Sequence, residues 1–93
     1  MASVYLSKYS SRADLCVYET RYENDADLCV FVVNDKIQAY GDEKWFYVDN
    51  ESGADICVYM TERESEADLK IYFVENEAQA GWRKSHSWSG RIG

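Results

Sequence analysis

Three cysteines are the residues of this chain whose type and spacing come nearest to a chemical site. Cys16, Cys29 and Cys57 occupy the same position of a repeated motif, at spacings of 13 and 28 residues. If consecutive copies of the motif form neighbouring strands, Cys16 and Cys29 lie side by side, close to disulfide reach. Cys16 and Cys29 are therefore a possible redox pair, although buried cysteine more often acts as a small apolar filler.

The sequence gives little support to a metal centre or to catalysis. A thiolate zinc site needs four ligands and usually a close Cys-x2-4-Cys pair, which the cysteine spacing does not provide. His86 is the single histidine and lies near the end of the chain. No G-x-S-x-G, P-loop or H-E-x-x-H motif is present. We expect no catalytic residues, no metal and no cofactor, so the protein is not expected to be an enzyme.

Four aspartates recur in Ala-Asp pairs and form a second candidate set. They are Asp14, Asp27, Asp55 and Asp68. Stacked in register, their carboxylates would repel one another and invite Ca²⁺, which takes six to eight oxygen ligands. In an antiparallel sheet they would alternate ends, and an aspartate in such a position more often caps a turn through its own backbone.

Aromatic side chains and a basic tail supply the candidate contact surface. Tyrosine and tryptophan carry the hot spots of many protein interfaces, whereas platforms for single-stranded nucleic acid sit in basic grooves. The possible interface residues are Tyr18, Phe31, Trp45, Tyr47, Tyr59, Tyr72, Trp82, Trp88, Arg83, Lys84 and Arg91. The alternative is that the aromatic row packs along a sheet face.

Charge is divided unevenly along the chain. Residues 1–82 hold all 17 acidic residues and carry a net charge of −10, whereas residues 83–93 carry +3. An acidic body repels nucleic acid and anionic membranes, so neither is an expected partner. The N-terminus lacks the charged start and apolar stretch of an export signal, and the number of cysteines is odd. Both observations favour a cytoplasmic protein with reduced thiols.

The elements that must position these residues are copies of one short unit. A Val-Tyr-like pair recurs six times, at steps of 13, 13, 16, 12 and 13 residues. Its copies are Val4-Tyr5, Val17-Tyr18, Val30-Phe31, Phe46-Tyr47, Val58-Tyr59 and Ile71-Tyr72. A unit this short cannot bury its own apolar face, so the copies must pack on one another.

Within each copy, apolar and polar residues alternate over about eight residues, as in a β-strand. One face is aliphatic and is predicted to be buried, whereas the other carries the aromatic and cysteine rows. The predicted core residues are Leu15, Val17, Leu28, Val30, Ile56, Val58, Leu69 and Ile71. No stretch shows helical spacing with caps, so the fold class is predicted to be all-β.

Two architectures fit the repeat. The favoured one is an antiparallel β-meander, curled into a small barrel or paired with another sheet. The alternative is a parallel β-solenoid, with one copy per coil. An unbroken eight-residue strand spans about 26 Å, and the five residues left over cannot return that distance. We divide the chain into a six-copy β-repeat domain, residues 1–83, and a basic aromatic C-terminal tail, residues 84–93.

The repeat resembles an uncharacterised family of small bacterial proteins built from units like A-D-L-K-V-Y-F-V-D-S-E-Y-Q. The closest stretches are residues 67–74, 45–51 and 79–83, the last similar to that family's closing motif. The resemblance covers roughly residues 12–84. That family carries no assigned activity, so the resemblance implies no catalytic residues.

Two hypotheses for function remain open from the sequence. The first is a non-enzymatic structural or interaction protein, a homo-oligomer that self-associates through sheet faces or edges. The alternative is a small ligand- or carbohydrate-binding module that uses the Tyr/Trp face, with its ligand unknown. A dimer or filament in solution would favour the first hypothesis, and the second allows a monomer.

Overall fold

The computed structural model describes residues 2–92 and contains seven β-strands. The strands are β1 (Ala2–Leu6), β2 (Leu15–Glu19), β3 (Leu28–Val32), β4 (Lys44–Tyr47), β5 (Ile56–Met60), β6 (Leu69–Phe73) and β7 (Gly81–Trp82). The prediction of an all-β fold class is confirmed in this coarse sense.

Between the strands run return segments, each containing one three-residue 3₁₀ turn. The turns are Ser10–Arg12, Glu23–Asp25, Lys36–Gln38, Glu51–Gly53, Glu64–Glu66 and Glu77–Gln79. None of the helical segments in residues 2–92 has the length and apolar character needed to cross a membrane.

Strands β1 to β6 form a closed barrel in which all pairs are parallel. The order around the barrel is β1-β5-β2-β6-β3-β4, and β4 closes the circle by pairing with both β3 and β1. The short β7 lies outside the circle and pairs antiparallel with β3. The predicted antiparallel meander is therefore wrong, and the solenoid is not formed either, because consecutive copies are not stacked in sequence order.

The length of the strands explains why the repeat does not form a meander. The eight alternating residues of a copy are not one strand: β2 ends after five residues at Glu19 and leaves eight residues, 20–27, for the return. A five-residue strand spans about 17 Å at 3.3 Å per residue. An eight-residue segment reaches back over that distance, so every strand of the barrel can point the same way.

Each return segment also moves the chain sideways around the barrel. Around the barrel, the steps from β1 to β2, β2 to β3, β4 to β5 and β5 to β6 each advance two places, whereas β3 and β4 are direct neighbours. Except at β3 and β4, a strand is therefore separated from the next one in sequence by a strand from a distant part of the chain. The return segments cross over these intervening strands, and the chain passes around the barrel axis more than once.

The register is uniform and places the aliphatic face inside. The central residue of each copy pairs with the residue two positions earlier in its neighbour, as in Val4↔Ile56, Val17↔Leu69 and Leu28↔Ile71. The interior is a single apolar cluster that includes all eight predicted core residues. Each of those eight is at most 4% exposed, so the prediction of the buried face is confirmed.

The fourth copy shows that one repeat was aligned wrongly in the sequence. Trp45 pairs with Ala2 and Val32, and it is fully buried inside the barrel. Trp45, and not Phe46, is therefore the central residue of this copy. With that change the steps between copies become 13, 13, 15, 13 and 13 residues, and Asp42 falls at the position of the repeated aspartates.

The repeated aspartates join distant copies. In each case the Asp N–H donates to a carbonyl at 2.8 Å, and the Asp Oδ2 accepts from the N–H of the same partner residue at 2.9–3.1 Å. The pairs are Asp14 with Cys57, Asp27 with Lys70, Asp55 with Ser3 and Asp68 with Cys16. The aspartates therefore do not stack as a row and do not cap their own turns. Each one fastens the entry of one strand to its neighbour in the barrel.

Loss of one such aspartate is expected to destabilise the barrel measurably. Asp55→Ala leaves the Ser3 N–H without its charged acceptor, and we expect a cost of about 1.5 kcal/mol in the free energy of unfolding. Asp55→Asn keeps an acceptor oxygen and should cost less. Asp49→Ala, an exposed aspartate of the same return segment, is the matched control and should change stability by less than about 0.5 kcal/mol. Urea unfolding of the three variants is the measurement, and equal costs for Asp55→Ala and Asp49→Ala would contradict the role.

Candidate interaction surfaces

The topology separates the two cysteines of the predicted redox pair. Cys16 lies on β2 and Cys29 on β3, with β6 between them. Two strand spacings amount to about 9.6 Å, whereas disulfides need Cα atoms within about 6.8 Å. The expectation that Cys16 and Cys29 lie on adjacent strands is therefore wrong, because it assumed that sequence neighbours pair. All three cysteines are unpaired.

The surroundings of Cys16 and Cys57 suit packing better than reaction. Burial raises the pKa of the Cys16 thiol, and Asp68 and Glu66 add to the effect. Burial likewise raises the pKa of Cys57, beside Glu51 and Asp14. A raised pKa keeps a thiol protonated and weakly nucleophilic at neutral pH. Across residues 2–92, no group of three or more His, Cys, Asp and Glu side chains is placed to hold a metal ion.

The predicted interface aromatics divide between three places. Tyr18, Phe31, Tyr59 and Tyr72 point outward from the strands and are half-buried beneath the return segments. Trp45 lies inside the barrel and makes edge-on ring contacts with Tyr47 at 6.5 Å and with Phe73 at 6.3 Å between centroids. Burial and the neighbouring Glu19 raise the pKa of the Tyr47 hydroxyl to about 12. Trp45 therefore has no exposed surface with which to contact a partner.

The most exposed aromatic residues were not among those predicted. Tyr9 and Tyr22 are 62% and 68% exposed, and each precedes the 3₁₀ turn of its return segment. Arg63 takes the same position in the fifth copy. In all three copies a hydroxyl two residues earlier accepts the N–H of this residue: Ser7 for Tyr9, Thr20 for Tyr22 and Thr61 for Arg63. The side chains of Tyr9 and Tyr22 are therefore not needed to cap the turn and are exposed, whereas Arg63 forms an exposed ion pair with Glu66 at 3.5 Å.

These three copies are neighbours in the barrel. Strands β1, β5 and β2 are consecutive around it, and their return segments are residues 7–14, 61–68 and 20–27. We call the outer side of these segments the Tyr/Arg face. In the other three copies Asp35, Asn50 and Asn76 take the same position and cap their own turns. The residue before the 3₁₀ turn is therefore a large side chain, Tyr or Arg, on one half of the barrel surface and a turn-capping Asp or Asn on the other half.

Most exposed cations of the barrel lie on the Tyr/Arg face, among a larger number of exposed carboxylates. Of the exposed cations in residues 2–82, Lys8, Arg12, Arg21 and Arg63 lie on it, and Lys36 lies elsewhere. The Arg12 guanidinium stands 6.0 Å from the centre of the Tyr9 ring. A shallow cleft of about 380 Å³ contains Tyr18, Arg21, Met60 and Glu62 in its lining. The face thus offers aromatic rings and guanidinium groups beside carboxylates.

The tail packs on the barrel of its own chain. Trp82 of β7 pairs with Leu28, the first residue of β3, and its ring stacks on His86 at 5.6 Å. Ile92 is 2% exposed and belongs to the apolar cluster, against which Trp88 also packs. The tail therefore closes the barrel end at which the strands begin.

The basic residues of the tail are placed differently from one another. Arg83 donates from Nε to the Cys29 sulfur at 3.1 Å and forms an ion pair with Glu23 at 3.0 Å. Arg91 lies over the Trp88 ring at 5.0 Å, and Lys84 is exposed beside a shallow cleft that includes Glu23, Asn24 and Arg83. Asp42 accepts from the Trp82 indole N–H and from the N–H groups of Gly90 and Ile92.

Sequence reasoning missed Tyr9, Tyr22, Asp42 and Ile92. An alignment of the copies on aspartate instead of on the aromatic pair would have placed Asp42 with the repeated aspartates. Counting five residues beyond the central residue of each copy places Tyr9 and Tyr22 at one position, followed in later copies by Asp35, Asn50, Arg63 and Asn76. Nothing in the local pattern around Ile92 marks it as a core residue.

Comparison with known proteins gives one match, and it agrees with the winding of the strands. The family described as the 7(1) septoil knot domain matches residues 1–83. The seven strands of residues 2–92 and the repeated passage of the chain around the barrel agree with that description. No curated protein and no solved structure matches. The prediction of a small repeat family is confirmed at that level, and the chain belongs to the septoil knot domain family.

Proposed function

We propose that this chain is a non-enzymatic interaction protein that self-associates, and that its contact surface is the Tyr/Arg face. The observation that supports this most directly is the exposure of Tyr9 and Tyr22, at 62% and 68%. Large aromatic rings beside guanidinium groups are the side chains that carry most of the binding energy at protein interfaces. Here they occupy one side of the barrel in a regular array.

The charge distribution favours a second copy of the chain as the partner. Residues 1–82 carry −10, so two copies repel one another over most of their surfaces. The Tyr/Arg face holds four of the five exposed cations of the described barrel together with exposed carboxylates such as Asp25 and Glu62. Two such faces can pair arginine with carboxylate in both directions, as a twofold interface requires.

Closure of the barrel moves this contact away from the strands themselves. Within residues 2–92, every strand of the barrel has both neighbours, and the outer sheet face lies beneath the return segments. Association through an edge would be confined to the two-residue β7. The proposal therefore places the interface on the return segments. We also propose a cytoplasmic location, because the number of cysteines is odd.

Light scattering at micromolar concentration is the test. We expect an oligomer at low salt that weakens at high salt, since the interface pairs exposed charges. Replacing both tyrosines, Tyr9→Ala and Tyr22→Ala, should weaken association at least tenfold. Ile37→Ala, which removes a 76% exposed side chain outside the face, is the matched control and should leave association unchanged. A monomer under all conditions would refute self-association.

A second candidate is a carbohydrate- or small-ligand-binding module, which the clefts of the same face support. One cleft of about 210 Å³ includes Tyr18, Arg21, Tyr22 and Asp25 in its lining, a mixture of aromatic and carboxylate groups that suits hydroxyl-rich ligands. The resemblance to small bacterial repeat proteins supplies no ligand. Chemical-shift changes confined to this cleft on addition of oligosaccharides, in a chain that stays monomeric, would favour this candidate over the first.

A further inference from the structure

The fourth copy uses its aspartate differently from the others. Asp14, Asp27, Asp55 and Asp68 each bind a main-chain N–H of a neighbouring strand. Asp42 stands at the same repeat position and is only 7% exposed. Its Oδ1 accepts from Ile92 N–H at 3.0 Å, and its Oδ2 accepts from Gly90 N–H and from the Trp82 indole at 2.9 Å.

Asp42 does not bind the main chain of a neighbouring strand because β7 occupies the place where it would do so. By the register of the other copies, Asp42 would lie against Cys29 on β3, but Gly81 of β7 pairs with Cys29 there. The return segment into β4 is longer than the others, and Gly41 adopts a φ of +77°, a conformation that glycine adopts without strain. The carboxylate accepts instead from main-chain donors outside the repeat, the N–H groups of Gly90 and Ile92.

The C-terminal segment that donates to Asp42 is bound in the way that proteins bind peptide ligands. Two main-chain N–H groups, those of Gly90 and Ile92, donate to one carboxylate, and Gly90 has a φ of +80°. Ile92 inserts into the apolar cluster, and Trp88 packs against its edge. Of the residues that connect this segment to β7, Arg83 is bonded to Cys29 and Glu23, and Lys84 and Ser85 are exposed. Main-chain recognition with one or two apolar anchors is a recurring mode of peptide capture.

We propose that the barrel end formed by Asp42, Trp82 and the starts of β1, β3 and β4 is a peptide-binding site. Residues 86–92 occupy it in cis. Its ligand class is a peptide with an aromatic residue, a glycine two positions later and an aliphatic residue two positions after that, as in Trp88, Gly90 and Ile92. The tail then acts as a built-in competitor, which a partner segment of this kind displaces. This site is separate from the Tyr/Arg face and does not depend on self-association.

The test uses the full chain with a specific protease site inserted between Lys84 and Ser85. After the folded protein is cut, the released peptide should co-elute with the barrel at tens of micromolar and dissociate on dilution. A fluorescent synthetic peptide of residues 84–93 should then rebind to the emptied barrel. In that peptide Ile92→Ala should weaken binding at least tenfold, whereas Ser87→Ala, which changes an exposed side chain, should leave it unchanged. Because these variants are made in the peptide, the barrel is the same in every measurement.

Three results would overturn the proposal. The barrel could lose its near-ultraviolet circular dichroism on cutting, in which case residues 85–92 are part of the fold and not a ligand. The emptied barrel could stay folded but fail to bind the peptide at up to millimolar concentration. The Ile92→Ala and Ser87→Ala peptides could bind equally, which would mean that the apolar anchor is not recognised. As a second check, Asp42→Asn in the barrel should weaken peptide binding at least tenfold while the barrel remains folded.

Discussion

Trp45→Ala is expected to destabilise the chain by about 3–5 kcal/mol, the range for removing a large aromatic side chain from a core. Trp45 is fully buried, and its ring contacts Tyr47 and Phe73 edge-on. Its indole N–H also donates to the Asp42 carbonyl at 2.8 Å. The barrel around it is closed by hydrogen bonds on every side, so the walls cannot move inward to fill the space. The cost should therefore lie at the upper end of the range.

Urea unfolding, with samples incubated until the forward and reverse transitions coincide, measures this cost. Ile37→Ala is the control, since Ile37 is 76% exposed and its loss should change stability by less than about 0.5 kcal/mol. Trp45→Phe keeps most of the volume and should cost clearly less than Trp45→Ala. A cost below about 1.5 kcal/mol for Trp45→Ala would show that the interior relaxes, contrary to the closed architecture.

The faces of the strands could be predicted from the sequence, whereas their partners could not. Alternation of residues such as Leu15, Cys16, Val17 and Tyr18 states which side is buried, because side chains alternate across any strand. It says nothing about direction, since parallel and antiparallel pairs share this alternation. Because the copies are nearly alike, each could pair with any other. Parallel pairing becomes possible because most strands of the barrel have five residues and most returns have eight. No residue type in the sequence marks the point at which a strand ends and its return begins.

The bonds of the aspartates were out of reach for a related reason. Asp14 binds Cys57, which is 43 residues away, and Asp55 binds Ser3, which is 52 residues away. The sequence around each aspartate suggests only the backbone of its own turn as a hydrogen-bond partner. The tail site was missed because Asp42 was aligned out of register, and that error came from treating Phe46 as the central residue. A one-residue error in the alignment of the fourth copy therefore hid Asp42, the repeated aspartate whose hydrogen bonds differ from those of the others.

Refolding of this chain is expected to be slow, with a rate constant below about 1 s⁻¹ at 25 °C, under the usual range for small domains. Barrel partners are separated by 43 to 52 residues at the aspartate contacts, and distant contacts slow folding because loop closure precedes their gain. The knot for which the family is named adds a step in which one end must pass through a loop. The sequence contains no proline, so prolyl isomerisation, the commonest cause of a slow phase, is excluded.

Interrupted unfolding identifies the cause of the slow phase. The protein is unfolded in denaturant for a variable time and then returned to refolding conditions under reducing agent, with tryptophan fluorescence as the readout. Chains that are unfolded but still knotted should refold at least tenfold faster than chains that have had hours to untie. In most proteins such a dependence on delay comes from proline, but this chain has none, so here the delay reports the untying of the chain. A single fast phase that is the same after every delay would mean that threading does not limit folding, and that the barrel closes around its ends as readily as an unknotted sheet.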